Sequence, residues 1–395
     1  MPPPMAEPAW TDGYLRLSPQ AALKLLEQTF IYHRGRDELY ELDDAALAFL
    51  SRCDGSRLGH DLTDDDEFVR FCLAEELLQT LSHPMPTPVP ISKSPTPSLR
   101  YLELQLLHDC NLRCRHCYLG PPNPTRLSLP EALSISAEFA DKGGLKLMIS
   151  GGEPLLYPEL QSFIEQTRDL PVRRVLISNG TLLDEENCAW LTVDEIQVSL
   201  DGWREGHDLL RGEGNFDLSV DGIFAARHAG IPVSLATVIH RGNLREFDRM
   251  KRFAEEIGAI SWGIDVLCDA GNLTRNRSLN IPYEQAAPLF DFSYGGGYHG
   301  PSEGFACGRH LLTVLPDGKA VKCGFYRDAP LGDARDGLLD CWLRLEHIPL
   351  SSLECHSCPV LAQCGGGCRF RAHHPLAPDL AMCARHGIDL TKHHG

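Results

Sequence analysis

From Leu99 to about residue 270 the chain alternates between short apolar runs and amphipathic helical patterns, and this alternation most restricts what it can fold into. Strands are expected at 102–106, 145–150, 172–178, 195–200, 233–239 and 261–267, with helices at 130–142, 159–169, 218–228 and 244–257 among the segments between them. Six strands, each followed by a helix or loop, predict an α/β domain: a parallel sheet with helices outside, curled as a partial (β/α)6 TIM-like barrel. In such a barrel the chemistry gathers at the C-terminal ends of the strands.

The segment after each strand is therefore informative. After the first comes Cys110-Asn111-Leu112-Arg113-Cys114-Arg115-His116-Cys117-Tyr118, a C-x3-C-x2-C triad. Three thiolates on one loop can converge on one metal centre. A cubane iron–sulfur cluster held this way keeps one iron open, whereas a zinc site would need a distant cysteine or histidine to complete it. After the second strand comes Ser150-Gly151-Gly152-Glu153-Pro154, where two glycines let backbone approach a neighbour closely and a glutamate can pair with an ammonium. In isolation that motif reads as a tight turn. The third and fourth strands end in Ser178-Asn179-Gly180-Thr181 and Ser199-Leu200-Asp201-Gly202, so polar groups arrive at the same rim.

The four strand ends taken together resemble the radical S-adenosylmethionine (radical SAM) superfamily, over residues 99 to about 270. The resemblance implies that Cys110, Cys114 and Cys117 hold a [4Fe-4S] cluster whose open iron is chelated by S-adenosylmethionine. It further implies that Gly151, Gly152 and Glu153 contact the methionyl ammonium and that Ser199 and Arg211 are candidates for its carboxylate. Asn179 is then expected at the ribose and Tyr118 near adenine. The implied chemistry is reductive cleavage of S-adenosylmethionine, giving a radical that abstracts hydrogen from an unactivated carbon.

Fifteen cysteines without a secretion signal point to metal and a reducing cytoplasm rather than to disulfides. Cys53, Cys72, Cys188 and Cys268 are scattered singly and read as ordinary buried thiols. A formal charge of -17, with no basic run interleaved with aromatics, argues against a nucleic-acid partner. No apolar stretch approaches the length of a membrane span, so no membrane association is expected.

Beyond Asp269 periodicity is poor and cysteines crowd: Cys307, Cys323, Cys341, then Cys355, Cys358, Cys364 and Cys368 spaced C-x2-C-x5-C-x3-C, and Cys383. A zinc ribbon is one reading of such spacing. The arrangement C-x10-G-x4-C, gap, C-x2-C-x5-C-x3-C, gap, C resembles the SPASM extension of peptide-modifying radical enzymes, here expected over 300–395. That resemblance implies two auxiliary [4Fe-4S] clusters, a distal one on Cys355, Cys358, Cys364 and Cys383 and a proximal one on Cys307, Cys323 and Cys368. The proximal fourth position is expected to be open to substrate, or filled by Cys341, with His310 a weaker candidate. Asp265 and Asp269 read as substrate-facing groups or as exposed loop charges.

The N-terminal stretch, 13–81, reads as a small α+β module. Strands are expected at 23–32 and 39–42 around the turn-rich Arg34-Gly35-Arg36-Asp37, then a helix at 45–50 capped by Asp43-Asp44 and stopped at Asp54-Gly55, then a helix at 66–81. It resembles the PqqD-like peptide-recognition element, a winged-helix-like domain that takes up a leader peptide as an additional strand. Residues 82–98 hold six prolines and are expected to be an extended linker.

These features together lead to the expectation of a maturase acting on a ribosomally made precursor peptide with a leader segment, served by a low-potential electron donor of flavodoxin or ferredoxin type. The alternatives are the same chemistry on a tetrapyrrole side chain or a sulfatase active-site residue, or a non-catalytic iron–sulfur electron carrier or scaffold.

Overall fold

The computed structural model describes residues 10–297, 299, 304–307 and 310–388. The chain divides into two compact units, the first gathering residues up to Arg100 with Ala137–Lys146 and Asp169–Arg173, the second holding the remainder.

The first unit carries two sheets. Strands β1 (Tyr14–Leu17), β2 (Ala21–Leu25), β3 (Thr29–His33), β4 (Glu38–Glu41), β5 (Asp54–Leu58), β6 (Leu78–Leu81) and β7 (Ile91–Lys93) are arranged as β5-β1-β6 and β4-β3-β2-β7, with helices α1 (Asp44–Leu50) and α2 (Asp66–Ala74) between them. Leu15, Leu23, Ile31, Leu50, Cys53, Val69 and Cys72 form its core. The Asp43 carboxylate accepts from Ala46 N at 2.8 Å and starts α1, as an N-cap should.

Some of the sequence expectations change here. The apolar run 23–32 is not one strand but a tight hairpin, β2 against β3, because Leu26 N bonds Gln28 O at 2.9 Å and folds the chain back without a glycine or proline to mark the turn. The helix expected to reach residue 81 ends at Ala74: Glu76 sits at φ 52°, and Leu77 N bonds back to Cys72 O, a helix-ending pattern in which glutamate takes the left-handed position usually given to glycine. Leu78–Leu81 then forms β6 instead. Within the proline-rich stretch, Ile91–Lys93 pairs in parallel with β2, since an extended segment free of proline for three residues can add to a sheet edge. Asp54-Gly55, expected as a stop, opens β5. Ser98 N and Oγ both donate to the Glu27 carboxylate, which also pairs with the buried Arg100 at 2.5 Å.

The second unit is built on strands β8 (Tyr101–Gln105), β9 (Lys146–Ser150), β10 (Arg173–Ser178), β11 (Glu195–Ser199), β12 (Val233–Ile239) and β13 (Trp262–Val266), which neighbour one another in sequence order. Helices α3 (Leu129–Asp141), α4 (Leu160–Gln166), α5 (Glu185–Trp190), α6 (Arg204–Arg211), α7 (Asn215–His228) and α8 (Phe247–Glu256) connect them. Strands β8 to β12 are buried almost throughout, as a parallel sheet covered on both faces requires, while the edge strand β13 leaves Gly263 and Asp265 exposed. The expected α/β architecture of six strands in order is therefore present, with α5 and α6 added where the sequence reading has only connections.

The sheet does not stop at six strands. Beyond the short helix α9 (Tyr283–Ala286), β14 (Leu311–Val314) pairs in parallel with β8, Leu311 beside Tyr101 and Val314 beside Leu104. Strands β15 (Lys319–Val321) and β16 (Gly332–Asp333) are added antiparallel, making nine strands. The cysteine-rich C-terminal region is thus continuous with the barrel sheet. Four-residue strands of this kind are too short to register as a pattern. Helices α10 (Leu338–Leu343), α11 (Leu361–Cys364) and α12 (Leu380–Arg385) complete it. Among the described residues, no helix is long and apolar enough to cross a membrane.

Candidate active site

The cysteine triad lies in an irregular loop after β8, and its backbone is held from several directions. Arg115 N donates to Leu210 O at the end of α6, Asn272 N to Cys117 O at 2.9 Å, Asn272 Nδ2 to Cys114 O at 3.0 Å, and Asn276 Nδ2 to Arg115 O at 3.1 Å. On the other side, Gly152 N donates to Leu107 O at 2.8 Å and Glu153 N to Asp109 O at 2.9 Å. The two glycines make this approach feasible. Gly151 has φ 145°, and a Cβ there would lie 2.4 Å from Leu107 O; on Gly152 it would lie 2.0 Å from Asp109 O. The close backbone neighbour expected from the sequence is thus, first of all, the triad's own loop.

Glu153 is wholly buried. Its carboxylate accepts from Ser178 Oγ and Asn179 N, both at 2.8 Å, and from Leu155 N. Burial pushes this carboxyl up, against those hydrogen bonds and the charge of Arg211. Asn179 reaches the triad loop: its Nδ2 donates to Asn111 Oδ1 at 2.9 Å, while Asn111 Nδ2 donates to Thr181 Oγ1 at 2.8 Å. The second and third strand ends are therefore cross-braced to the cysteines.

At the fourth strand end, Asp201 is 1% exposed and acts as a hub. Its Oδ1 accepts from Val238 N at 2.8 Å and its Oδ2 from Arg211 Nε at 2.5 Å; His116 stands 3.9 Å away. Its backbone carbonyl contacts His240 Nε2 and accepts from Asn243 Nδ2. Burial raises the Asp201 carboxyl, but the Arg211 charge overrides this and holds it well below the ordinary range. Burial pulls His116 and His207 down to about 4, so both rings are neutral at pH 7. The Arg211 guanidinium lies within electrostatic reach of Cys114 and Cys117, a fixed cation near the triad. Ser199 ends β11 half-buried at the same rim.

This donor set fits a cluster with three cysteine ligands. Burial raises the Cys110 thiol, and raises Cys114 to about 11, so metal binding would have to displace protons. Leu112 N already points at Cys110 Sγ at 3.4 Å, and Asn179 Nδ2 lies 4.0 Å from it, donors suited to a thiolate. Among the described residues, no group of three or more His, Cys, Asp or Glu converges tightly enough for a single metal ion. A cubane is larger and spaces its thiolates more widely.

Tyr118 turns away from the triad. Its hydroxyl donates to Glu103 and accepts from Gln105, and its ring packs on Phe325 at 4.8 Å. It lines a cavity of about 400 Å³ together with Glu103, Cys307, Cys323, Cys368 and Arg371. The set Cys307, Cys323 and Cys368 is thereby brought together. Cys355, Cys358, Cys364 and Cys383 converge separately around a second, smaller pocket. Cys341 is buried on α10 beside Gly332, outside both linings, and the carbonyl of His310 accepts from Tyr101 N at the opposite, N-terminal end of β8. Asp265 pairs with Arg371 at 2.7 Å and lines the larger cavity, whereas Asp269 pairs with Arg277 on the surface.

Sequence reasoning passed over Asp201, Asn111, Asn272 and Cys268. Asp201 stands inside the Ser-Leu-Asp-Gly motif at the end of the fourth strand and Asn111 inside the triad motif, signals that could have been used; Asn272 and Cys268 are a single polar residue and a single thiol without any local pattern.

Residues 104–254 match the model of the Radical SAM superfamily. An AdoMet-dependent heme synthase of Nitratidesulfovibrio vulgaris is 30% identical over 340 residues, covering 72% of this chain and 91% of that protein. The PqqA peptide cyclase of Gluconobacter oxydans is 26% identical, covering 70% of this chain and 87% of that protein. Crystal structures of Streptococcus suis SuiB, bound to S-adenosylmethionine or to precursor peptide SuiA, superpose with a TM-score of 0.67 at 15% identity, covering 93% of this chain and 99% of SuiB. This last likeness concerns the fold.

Proposed function

Because the chain belongs to the radical SAM superfamily, we propose that it is a maturase of a ribosomally made peptide, abstracting hydrogen from a residue of the core segment to form a thioether, carbon–carbon or related linkage. The bound [4Fe-4S] cluster and S-adenosylmethionine would supply the 5'-deoxyadenosyl radical. The work of this chain's residues is holding, orienting and excluding water. Cys110, Cys114 and Cys117 are the cluster ligands. Arg211, fixed by Asp201, presents a cation for a carboxylate; buried Glu153, with Gly151 and Gly152, offers acceptors for an ammonium. Asn179 and Ser199 face the same rim as hydrogen-bonding groups. Tyr118 serves the larger cavity rather than the triad. Cys355, Cys358, Cys364 and Cys383 are assigned to a distal auxiliary cluster, and Cys307, Cys323 and Cys368 to a proximal one, with electrons from a flavodoxin- or ferredoxin-type donor.

The observation that carries the peptide reading is the edge strand β4. It ends its sheet with one side unpaired among the described residues, and beside it Tyr40 packs edge-on to Phe71 at 5.8 Å, with Phe71 43% exposed. An open strand edge flanked by an aromatic surface suits main-chain capture of a leader peptide with side-chain pockets for specificity. The relatives that modify peptides and the fold likeness to SuiB support it.

The test is anaerobic incubation of the reconstituted enzyme, reductant and S-adenosylmethionine with the peptide of any short open reading frame found beside this gene. The expected result is a mass change in the core segment, inhibited by excess free leader. An unchanged peptide alongside rapid formation of 5'-deoxyadenosine would overturn the pairing.

A second reading, oxidation of a tetrapyrrole side chain, is favoured by the 30% identity to a heme synthase. It predicts turnover of a tetrapyrrole side chain that free leader peptide leaves unaffected.

A further inference from the structure

We infer that Cys268 is the fourth thiolate of the proximal auxiliary cluster, which closes that cluster to substrate. The inference rests on the proposed auxiliary clusters and goes beyond them, because Cys268 lies upstream of every cysteine in the C-terminal spacing pattern.

Cys268 stands two residues past the end of β13, at the rim where the other strand ends carry the site. Its thiol stands within interaction range of the Cys368 sulfur, and so does the thiol of Cys307. Cys323 faces the same cavity as Cys307 and Cys368. Cys307, Cys323 and Cys368 line one cavity and Cys268 stands beside the last of them, which brings four cysteines from four separate stretches of chain into one neighbourhood, and four is the complement of a closed cubane.

The meeting is built rather than incidental. Arg371, three residues past Cys368, donates from one guanidinium nitrogen to Asp265 Oδ1 on β13 at 2.7 Å and from its other two to Asp379 at 3.0 and 2.7 Å. Asp379 is 2% exposed; it accepts from Cys368 N at 2.7 Å and caps α12, the helix that carries Cys383. This chain of charge-assisted bonds ties the end of β13, three residues from Cys268, to the backbone of Cys368. The other candidates for the fourth position are elsewhere, Cys341 on α10 and His310 at the far end of β8.

A cubane with four cysteine ligands exchanges electrons and offers no iron to a substrate thiolate or amide. The proximal cluster is accordingly assigned to electron transfer, and substrate must be oriented by the protein walls of the cavity.

The test uses the full chain in which the triad is replaced (Cys110→Ala, Cys114→Ala, Cys117→Ala), so that only auxiliary clusters load, and the same chain carrying Cys268→Ala or Cys268→Ser. Iron and sulfide are counted, and electron paramagnetic resonance spectra of the reduced clusters are recorded with and without imidazole as an exogenous ligand. The expected result is about eight irons for the parent, as two cubanes require, with spectra indifferent to imidazole. Cys268→Ala should make one of the two signals shift on imidazole addition, or lose about four irons. Cys268→Ser should retain both clusters with one signal altered. A parent whose signal already responds to imidazole, or a Cys268→Ala chain with unchanged iron and spectra, overturns the assignment of Cys268 alone. A parent that binds no iron overturns the auxiliary clusters themselves, and this inference with them.

Discussion

Arg211 Nε donates to Asp201 Oδ2 at 2.5 Å, joining the last residue of α6 to the end of β11 directly beside the cysteine triad. Both groups are largely withdrawn from water, and the pair fixes the direction in which the remaining guanidinium nitrogens point. Asp201→Asn keeps the shape but removes the charge. With hydrogen bonds to charged groups contributing about 1.5–3 kcal/mol, S-adenosylmethionine should bind roughly tenfold to a hundredfold more weakly. Anaerobic calorimetry on the reconstituted variant would measure this, and its iron content should match wild type. Unchanged affinity would remove Arg211 from the co-substrate site.

Gly152→Ala places a methyl group where Asp109 O already stands, 2.0 Å from the new carbon. The triad loop must retreat, at a cost of about 1–3 kcal/mol by analogy with other overpacked sites. The variant should fold but fail to load the first cluster, losing about four irons per chain. Full loading would mean that the loop tolerates a displacement its backbone hydrogen bonds argue against.

Glu27 gives the first unit an acid limit. Although burial raises its carboxyl, hydrogen bonds from Ser98 and the charge of Arg100 together lower it from 4.5 to about 2. A folded value below the unfolded one means that the stabilisation is fully present above about pH 4.5 and is lost as pH falls towards 2. Its size is on the order of 2 kcal/mol, allowing for partial exposure. In Glu27→Gln this part of the acid dependence should vanish, and the buried Arg100 left without its anion should cost about 3–5 kcal/mol at neutral pH. Hydrogen exchange at the amides of β2 and β3, followed from pH 7 to pH 3, reads both effects.

The β4 edge makes a separable prediction. Phe71→Glu puts a charge on an already exposed position next to Tyr40, so it should leave the fold and cofactor loading intact. Leader affinity, read by fluorescence anisotropy, should fall by about tenfold, the equivalent of roughly 1.4 kcal/mol. Formation of 5'-deoxyadenosine without peptide should be unchanged. Equal affinity in the variant would move leader capture away from this edge.

Strands β8 to β13 were legible because each is an apolar run long enough to stand out, and β12 matches its expected bounds. The hairpin at Leu26–Gln28, the end of α2 at Ala74 and the short strands β7 and β14 were not, because each depends on a backbone turn or a partner strand supplied from elsewhere in the chain. At the site the same division holds. Cys110, Cys114 and Cys117 are neighbours in sequence and their convergence follows from one short loop. Cys268 has no cysteine within 35 residues of it on either side and reads as an isolated buried thiol until β13 and the Cys368 loop are seen side by side.

The sequence by itself determined the order of strands and the identity of the residues at their ends, since both are local: a strand of five residues and the loop after it are written in one stretch. Only the tertiary structure decided what those residues do to one another. It turned Gly151 and Gly152 against the triad's own backbone, gave Arg211 its anion in Asp201, and brought Cys268 to Cys368 across a hundred residues of chain. Such meetings are set by sheet order and long-range packing, and no spacing rule along the chain encodes them.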